Sequence, residues 1–478
     1  MAKWPWNFDS GPAPTKSAID QSCKADLSHF LGGSVGFDAI SAANDIYYLS
    51  SDTLRRLGIP AHHVKYLLVG ELLRNYQPDL SQLTLWPYEG IDAKPMAHSA
   101  VASYLKPFKP FLEIRSQFRK TQIEAGLQWF EFREYHRRAL RRQLTYADIC
   151  THLHVVLSEG DSVFNQYAPV IELPPHCAAG DWHLIASLLN SSTALLWLKQ
   201  LCFNKGAGED EERDRFEFAG NKIEQLPVPD TVAEALRGKR SGLADRLQAL
   251  SQACWERGRQ MPALSMKKLF EKPGEAYHEW NSSLSGYVAP DERLGRPFHT
   301  AEYLRAAASC ACRVREGLRA EMIALQEEMD WLVYAAYGLI PTDSTALGVA
   351  PDATERVPPL AREQRPFVLW AQANGDFDKA MTLIPADWSE ERKALWRARL
   401  ETIRDNEHIR RIEQPVYKRR WDEQWKVGNR WQCGLTAYDA EFVDAFDWWL
   451  SEKAEWWLEK KRNGGPVTLD AWNAALQQ

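Results

Sequence analysis

The amino-acid sequence predicts a mixed α/β domain, followed by a long helical spacer and a helical, Trp-rich C-terminal domain. In the first half of the chain, short apolar runs alternate with turn signals and with helical periodicities. After Pro229 the predicted helices become longer, because apolar residues keep returning every three or four positions. Residues 366–478 continue this helical pattern and are rich in tryptophan, of which the whole chain contains 20.

The composition is that of a globular protein with sizeable hydrophobic cores. The chain has 478 residues, 45% hydrophobic and 26% charged, which is enough for about two to four domains. Its eight cysteines are scattered without a Cys-x-x-Cys pair, which favours free thiols in a reducing compartment. No apolar stretch reaches the length of a membrane span, and the N-terminus has no apolar signal core. We therefore expect a cytoplasmic protein without a membrane partner.

The predicted mixed α/β domain covers residues 25–230 and follows a loose lead-in, residues 1–24. Its predicted strands include the segments DIYYLS, TLWPYEG, HVVLSE and APVIELPP. Its predicted helices cover residues 99–122 and 181–201, where apolar residues recur at helical spacing. Asn190 and Ser191 are expected to cap a helix, since their side chains accept hydrogen bonds from free backbone amides.

The segment FEFAGNKIEQLPVPD, residues 216–230, is predicted to hold the last strand of this domain. Pro227 and Pro229 remove backbone donors and restrict their neighbours, so a sheet is expected to end there. Asp230 or Thr231 would then cap the first helix of the spacer.

The predicted helical spacer covers residues 231–340. One face of its first helix carries an apolar stripe at helical spacing, formed by Leu243, Leu247, Leu250 and Cys254. A loop-rich stretch precedes a second long helix that ends at Gly338, and the two helices can pair as an antiparallel hairpin. A proline-rich linker, residues 341–365, leads to the C-terminal helical domain, residues 366–478.

Motifs for known chemistry are missing from the sequence. Neither Pro-Pro pair stands in an Asn/Asp-Pro-Pro-aromatic loop, which amino-methyltransferases use to hold a flipped base. There is no Walker motif, nucleophile elbow or HExxH, and the LGGSVG segment lacks the context of a dinucleotide or AdoMet site. His152 and His154 share one face of a predicted strand, either as core histidines or as metal ligands that lack a third partner. No catalytic, cofactor-binding or metal-binding residue is therefore predicted.

The strongest physical signal is a basic run between Lys106 and Arg142. It holds ten basic and four acidic residues, an excess of six positive charges in a chain whose net charge is −6. Aromatic residues interleave with these charges. The run is either a solvated helix face or a surface that neutralises nucleic-acid phosphates. A second basic cluster, KRR at 418–420, would contact phosphates or form a salt-bridged helix end. The predicted DNA-binding residues are Lys106, Arg115, Arg119, Lys120, Arg133, Arg137, Arg138, Arg141, Lys418, Arg419 and Arg420.

Several segments, in order, resemble one family. VKYLLVGELLRNYQPDLSQLTLWPYEG, YLKPFKPFLEIRSQFRK, QWFEFREY, LIASLLNSSTALLWLKQ and FEFAGNKIEQLPVP are similar to parts of TaqI-like specificity domains. EEMDWLVYAAYGL resembles the end of the helical spacer in type IIG adenine methyltransferases. IEQPVYKRRW is similar to a C-terminal motif of the BREX and DISARM phage-defence methyltransferases. The chain thus resembles the C-terminal target-recognition region of type IIG, BREX- and DISARM-type adenine-specific DNA methyltransferases, without the methyltransferase domain.

The resemblance implies a specificity component of a restriction-modification or phage-defence system that reads double-stranded DNA. It implies that no cofactor binds here, because AdoMet would bind a methyltransferase partner. That subunit and other defence-system proteins are the expected partners. Two alternatives stay open, namely a complete but divergent DNA methyltransferase or nuclease, and a protein–protein scaffold of a defence complex.

Overall fold

The computed structural model describes most of the chain and divides it into two compact units. Unit 1 consists of residues 1–259 and 321–420, and unit 2 of residues 260–320 and 421–478. The described residues are 13–90, 92–96, 98–117, 119–136, 142–160, 162–206, 213–271, 300–348, 357–421, 424–427, 430–433, 435–462, 468, 470 and 474. The predicted fold class is confirmed, since a mixed α/β N-terminal region precedes a helical C-terminal part.

The strands of unit 1 are short and form several small sheets. The largest has four strands, in the order Ser162–Phe164, Val64–Leu68, Leu83–Leu85 and Tyr48–Leu49. Its first two strands are parallel and the other pairs are antiparallel. Two three-stranded sheets have the orders Val156–Ser158, Gln143–Thr145, Val170–Ile171 and Ile149–Cys150, Arg215–Glu217, Phe203–Gly206. The two-stranded pairs are Ala25–Asp26 with Pro227–Val228, Ala39–Ile40 with Glu134–Tyr135, Leu73–Arg74 with Gln77–Pro78, Tyr88–Glu89 with Lys94–Pro95, and Ser116–Gln117 with Lys120–Thr121.

The α-helices of unit 1 fall into an N-terminal and a C-terminal group. The first comprises Ala13–Gln21, Asn44–Tyr47, Ser51–Arg56, Ser99–Leu105, Lys109–Ile114, Ala179–Leu189, Ser192–Lys199, Gly220–Ile223, Asp230–Leu236 and Gly242–Gly258. The second comprises Pro366–Gln372, Phe377–Thr382, Glu390–Asp405 and Glu407–Ile412. Short 3-10 turns lie at Leu27–Phe30, Ala61–His63, Gly70–Leu72, Lys106–Phe108, Thr345–Leu347 and Arg362–Gln364.

Unit 2 is mainly helical. It contains the 3-10 turn Pro262–Leu264, the helix Met266–Glu271, the antiparallel strands Gln424–Val427 and Arg430–Cys433, and the helix Leu435–Arg462. The helix Ala301–Ala336 contributes residues 301–320 to this unit and residues 321–336 to unit 1. Aromatic rings of the C-terminal helix, including Phe442 and Trp449, pack around Phe270. None of the described helices combines the length and the apolar character that a membrane crossing requires.

Several predicted elements are interrupted where the chain carries proline, glycine or a capping residue. The predicted helix 99–122 ends at Ile114. New helical segments start at Lys106 and Lys109, each with a proline at its second position, and a β-hairpin follows. The predicted helix 181–201 breaks at Asn190 and Ser191, and the Ser191 side chain accepts from Ala194 N, which confirms its predicted role as a cap.

The predicted last strand, residues 216–230, also differs from the structure. It consists of a strand that ends at Glu217, a helical turn at Gly220–Ile223 and the short edge strand Pro227–Val228. Pro227 therefore lies in a two-stranded edge pair with Ala25–Asp26, where a missing donor is tolerated, and Pro229 directly precedes the helix Asp230–Leu236 as its N-cap residue. The helical turn requires a glycine at position 220, because a Cβ atom there would clash with the backbone oxygen of Val35.

Candidate nucleic-acid interface

The basic run begins on an exposed, helical surface in unit 1. The helices Ser99–Leu105 and Lys109–Ile114 flank the turn Lys106–Phe108, and both Lys106 and Lys109 are exposed. Phe111 and Ile114 are exposed by 53% and 66% on the same segment. Cations beside accessible rings suit a nucleic acid, since cations neutralise phosphates and rings can stack on bases.

A β-hairpin follows this helical segment and presents two further cations. Ser116 pairs with Thr121 and Gln117 with Lys120, so that Arg119 lies in the two-residue turn. Arg119 is exposed and has a φ of +67°, a left-handed conformation that costs an arginine about 1 kcal/mol or more. Glu124 supports the hairpin by accepting from Thr121 N at 2.8 Å and from Thr121 Oγ1 at 2.9 Å. The hairpin 116–121 therefore carries Arg119 in its turn and Lys120 in its second strand.

Arg115 directly precedes the first strand of this hairpin, and its side chain is only 5% exposed. It anchors the base of the hairpin. Its guanidinium donates to four backbone carbonyls, those of Leu112 at 3.0 Å, Trp129 at 3.1 Å, Glu131 at 2.8 Å and Ser41. A planar fork of donors is suited to this task, because each N–H points toward a different acceptor. Desolvation lowers the pKa of Arg115 from its ordinary value. The predicted role of Arg115 in contacting DNA is replaced here by a structural one.

Arg133 and Gln122 complete the base of the hairpin. Arg133 is 6% exposed and donates to the carbonyl of Lys120 at 3.2 Å. Gln122 is fully buried and donates to the carbonyls of Gln128 and Glu131. Arg133 is thus placed beneath the surface that carries Lys120, and it acts as a support.

An aromatic cluster holds the same region against the four-stranded sheet. Trp86 and Tyr88 are 3% and 2% exposed and contact the ring of Phe132. The hydroxyl of Tyr88 accepts from Phe132 N at 2.9 Å, and burial raises the pKa of this hydroxyl well above its ordinary value. Both rings are core residues, so the family-like segment TLWPYEG has a structural role.

The second predicted basic cluster lies inside unit 1. The ammonium of Lys418 contacts Glu327 at 3.1 Å, Asp330 at 2.9 Å and Glu413 at 2.9 Å, and all four side chains are at most 2% exposed. Burial would lower the pKa of Lys418, but the charges of Asp330, Glu327 and Glu413 raise it far above its ordinary value. Lys418 is therefore a buried cation that neutralises carboxylates, and it does not reach the surface.

Arg419 is part of the same buried interior. It is 5% exposed and donates to Asn190 Oδ1 at 2.5 Å, while its guanidinium lies 4.8 Å from the ring centre of Tyr76. The Asn190 side chain also bonds both backbone groups of Val155. Arg420 is half-buried and has partners of its own.

Asp330 connects these contacts into one network. Its carboxylate accepts from Ser192 N at 2.9 Å and Ser192 Oγ at 2.7 Å, in addition to Lys418. Three family-like segments, LLNSS at 188–192, EEMDWLVY at 327–334 and the segment 413–419, thus meet in one buried polar network. The sequence showed each segment separately, and no local pattern indicated that they would be partners.

The remaining predicted DNA-binding residues divide into two groups. Lys106, Arg119 and Lys120 are exposed on the helix–hairpin surface. Arg137, Arg138 and Arg141 lie outside the described residues, and their predicted role stays a prediction. We define the basic hairpin surface as Lys106, Lys109, Phe111, Arg119 and Lys120.

His152 and His154 are held by hydrogen bonds inside the protein, and they belong to no group of three possible metal ligands among the described residues. His154 Nδ1 accepts from Asn75 N at 3.1 Å, and His152 Nε2 lies 3.4 Å from the carbonyl of Pro415. Burial lowers the pKa of His152 to about 3. These histidines are core residues. Among the described residues, a group that could hold a metal ion is instead formed by His62, His63 and Glu89.

Comparisons with known proteins connect the chain to DNA-modifying enzymes. Residues 322–471 match the family described as "Domain of unknown function (DUF7008)". The adenine-specific methyltransferase PglX of Streptomyces coelicolor is 28% identical over an alignment of 497 residues, which covers 98% of this chain and 36% of PglX. The chain is thus homologous to an adenine-specific methyltransferase over nearly its whole length, and it spans about a third of that relative.

A solved structure, the Type IIL restriction-modification enzyme MmeI in complex with DNA, is similar at a TM-score of 0.34. The match has 13% identity and covers 68% of this chain and 34% of MmeI. At this TM-score the match carries no argument about fold or function.

Proposed function

We propose that this chain is the DNA-reading part of an adenine-specific DNA methyltransferase that serves a restriction-modification or phage-defence system. The observation that carries the proposal is the basic hairpin surface, which presents exposed cations and apolar side chains on a rigid base. The homology to PglX supports the connection with adenine methylation. More specifically, we propose that it is a specificity component of a BREX- or DISARM-type defence system.

The basic hairpin surface has the properties that sequence reading requires. Arg119 projects from a hairpin whose base is fixed by Arg115, so the guanidinium starts from a defined position. An arginine can donate two hydrogen bonds to guanine in the major groove, and flanking lysines can set the register through phosphates. In this account Arg119 is a candidate for base contacts, while Lys106 and Lys120 contact the backbone.

The methyl donor AdoMet would bind a methyltransferase partner. Calorimetric titration of the isolated chain with AdoMet tests this division of labour, with no binding heat as the expected result. Binding of AdoMet by this chain would favour a complete but divergent methyltransferase.

Replacing the two hairpin cations tests the proposed surface. In the double variant Arg119→Gln and Lys120→Gln, DNA affinity is expected to fall, and the slope of log K against log salt to drop by about 0.9 per lost phosphate contact. A lost base contact from Arg119 would cost about 1–3 kcal/mol and relax sequence preference. Fluorescence anisotropy with a labelled duplex at several salt concentrations measures both quantities.

The matched control is the double variant Lys24→Gln and Lys239→Gln, which removes the same charge from exposed positions elsewhere in unit 1. This control should bind DNA with nearly the wild-type slope. Equal losses in the two double variants would assign binding to net charge and contradict a defined interface.

A further inference from the structure

The histidine–glutamate group of unit 1 has an unusual electrostatic arrangement. His63 is fully buried in the turn Ala61–His63, and its Nδ1 lies 2.8 Å from the carbonyl oxygen of Trp86. This carbonyl can only accept, so Nδ1 carries the proton and Nε2 of the neutral ring holds a lone pair. Nε2 is buried without a hydrogen-bond partner. A carboxylate oxygen, Oε1 of Glu89, lies 3.8 Å from Nε2.

A lone pair and a carboxylate that face each other repel, and a positive charge between them turns this repulsion into attraction. A proton on Nε2 would supply it, but a fully buried ring disfavours the imidazolium form. A metal cation supplies the same charge without protonating the ring. The hydrogen bond from Nδ1 to a backbone carbonyl is the usual second-shell contact of a metal-binding histidine, because it fixes the tautomer and the ring orientation.

A third ligand lies next to this pair. The ring centres of His62 and His63 are 4.4 Å apart, and the ligand atoms of His62, His63 and Glu89 all lie within 4.8 Å of one another. Around a tetrahedral zinc ion with bonds of about 2.0–2.1 Å, ligand atoms are separated by about 3.3 Å. The side chains of His62 and Glu89 are exposed and half-exposed, so they are free to close this difference around the fixed His63.

The geometry points to a binding site for a zinc-like transition-metal ion, formed by His63 Nε2, the imidazole of His62 and the carboxylate of Glu89. Two imidazoles and one carboxylate favour zinc over magnesium or calcium, which prefer all-oxygen ligands. The ion would tie the start of the strand Val64–Leu68 to the end of the strand Tyr88–Glu89. This inference does not depend on DNA binding.

His98 lies at the edge of the site, with its ring centre 5.8 Å from that of His63. Its Nδ1 accepts from Ala100 N and caps the helix Ser99–Leu105, which leads to Lys106. Because Nδ1 accepts this hydrogen bond, the neutral ring carries its proton on Nε2 and has no lone pair left for a metal ion. His98 is therefore a neighbour of the ion and not a ligand, and water can occupy the fourth coordination position. The site therefore supports the segment from which the basic hairpin surface begins.

Titration calorimetry of the chelator-stripped full chain with Zn²⁺ tests the site. We expect one site in the wild type, and a rise in thermal midpoint when zinc is present. Binding should weaken by about tenfold or more in the variants His62→Ala and Glu89→Gln, whose side chains are not part of the core. His63→Ala should abolish it. Excess Mg²⁺ should not displace the zinc.

The control variant His176→Ala removes an exposed histidine elsewhere in unit 1 and should bind zinc as the wild type does. Zinc binding that is unchanged in His62→Ala and Glu89→Gln would place the ion on cysteines or other histidines and overturn the inference. Absence of zinc binding by the wild type would overturn it as well.

Discussion

Replacing Arg115 by alanine is expected to open the base of the hairpin 116–121 and to weaken DNA binding strongly. The change removes the donor shared by four backbone carbonyls, of which that of Glu131 keeps a hydrogen bond from Gln122. An unsatisfied buried acceptor costs about 1–3 kcal/mol before water compensates. We expect a loss of about 3 kcal/mol or more in the free energy of unfolding. Arg115→Lys should recover little, because an ammonium cannot reproduce the planar fork.

Limited trypsin digestion separates local opening from general destabilisation. Cleavage after Arg119 and Lys120 should accelerate in Arg115→Ala, since the hairpin would lose its anchor. The matched control is Arg74→Ala, which removes a partly buried arginine that donates to the carbonyls of Gly70 and Leu73. An unchanged cleavage rate in Arg115→Ala would contradict the anchoring role.

Replacing Lys418 by methionine is expected to destabilise unit 1 by about 3–5 kcal/mol. Removing one partner of a buried ion cluster leaves the opposite charges uncompensated, which is more costly than the loss of the pair itself. Here three carboxylates, those of Glu327, Asp330 and Glu413, would remain buried together. Urea unfolding followed by tryptophan fluorescence measures the shift in midpoint.

Lys393→Met provides the control for this experiment. Lys393 forms an exposed ion pair with Glu390 at 2.9 Å, and exposed pairs contribute about 0–1 kcal/mol. Adding Glu413→Gln to Lys418→Met should recover part of the lost stability, because one buried negative charge is removed. A Lys418→Met variant as stable as the control would show that the network is not needed for the fold.

The fold class and the cap at Ser191 could be predicted because they depend on nearby residues. The prolines at 107 and 110, which interrupt the predicted helix 99–122, are local signals as well, although the apolar periodicity alone predicted one continuous helix. The roles of Arg115 and Lys418 could not be predicted in the same way. Ser41 is far from Arg115 in sequence, as Glu327 is from Lys418, so their partners come from distant segments.

Burial also separates the basic run into two functions. A sequence shows the number of cations, and it does not show which of them face the solvent. Arg115 and Arg133 support the hairpin from inside, whereas Lys106, Arg119 and Lys120 remain exposed and carry the proposed interface. The proposed zinc-like site could not be predicted for a different reason. Glu89 comes near His62 and His63 only when the strand Val64–Leu68 pairs with Leu83–Leu85.

Selection from a random-sequence duplex pool shows whether this chain reads a DNA sequence. The full chain is incubated with the pool at low salt, and the bound DNA is recovered, amplified and sequenced over several rounds. We expect that one short sequence is enriched, and that enrichment weakens in the double variant Arg119→Gln and Lys120→Gln. A pool without an enriched sequence, together with no binding even at low salt, would show that the chain is not a DNA reader.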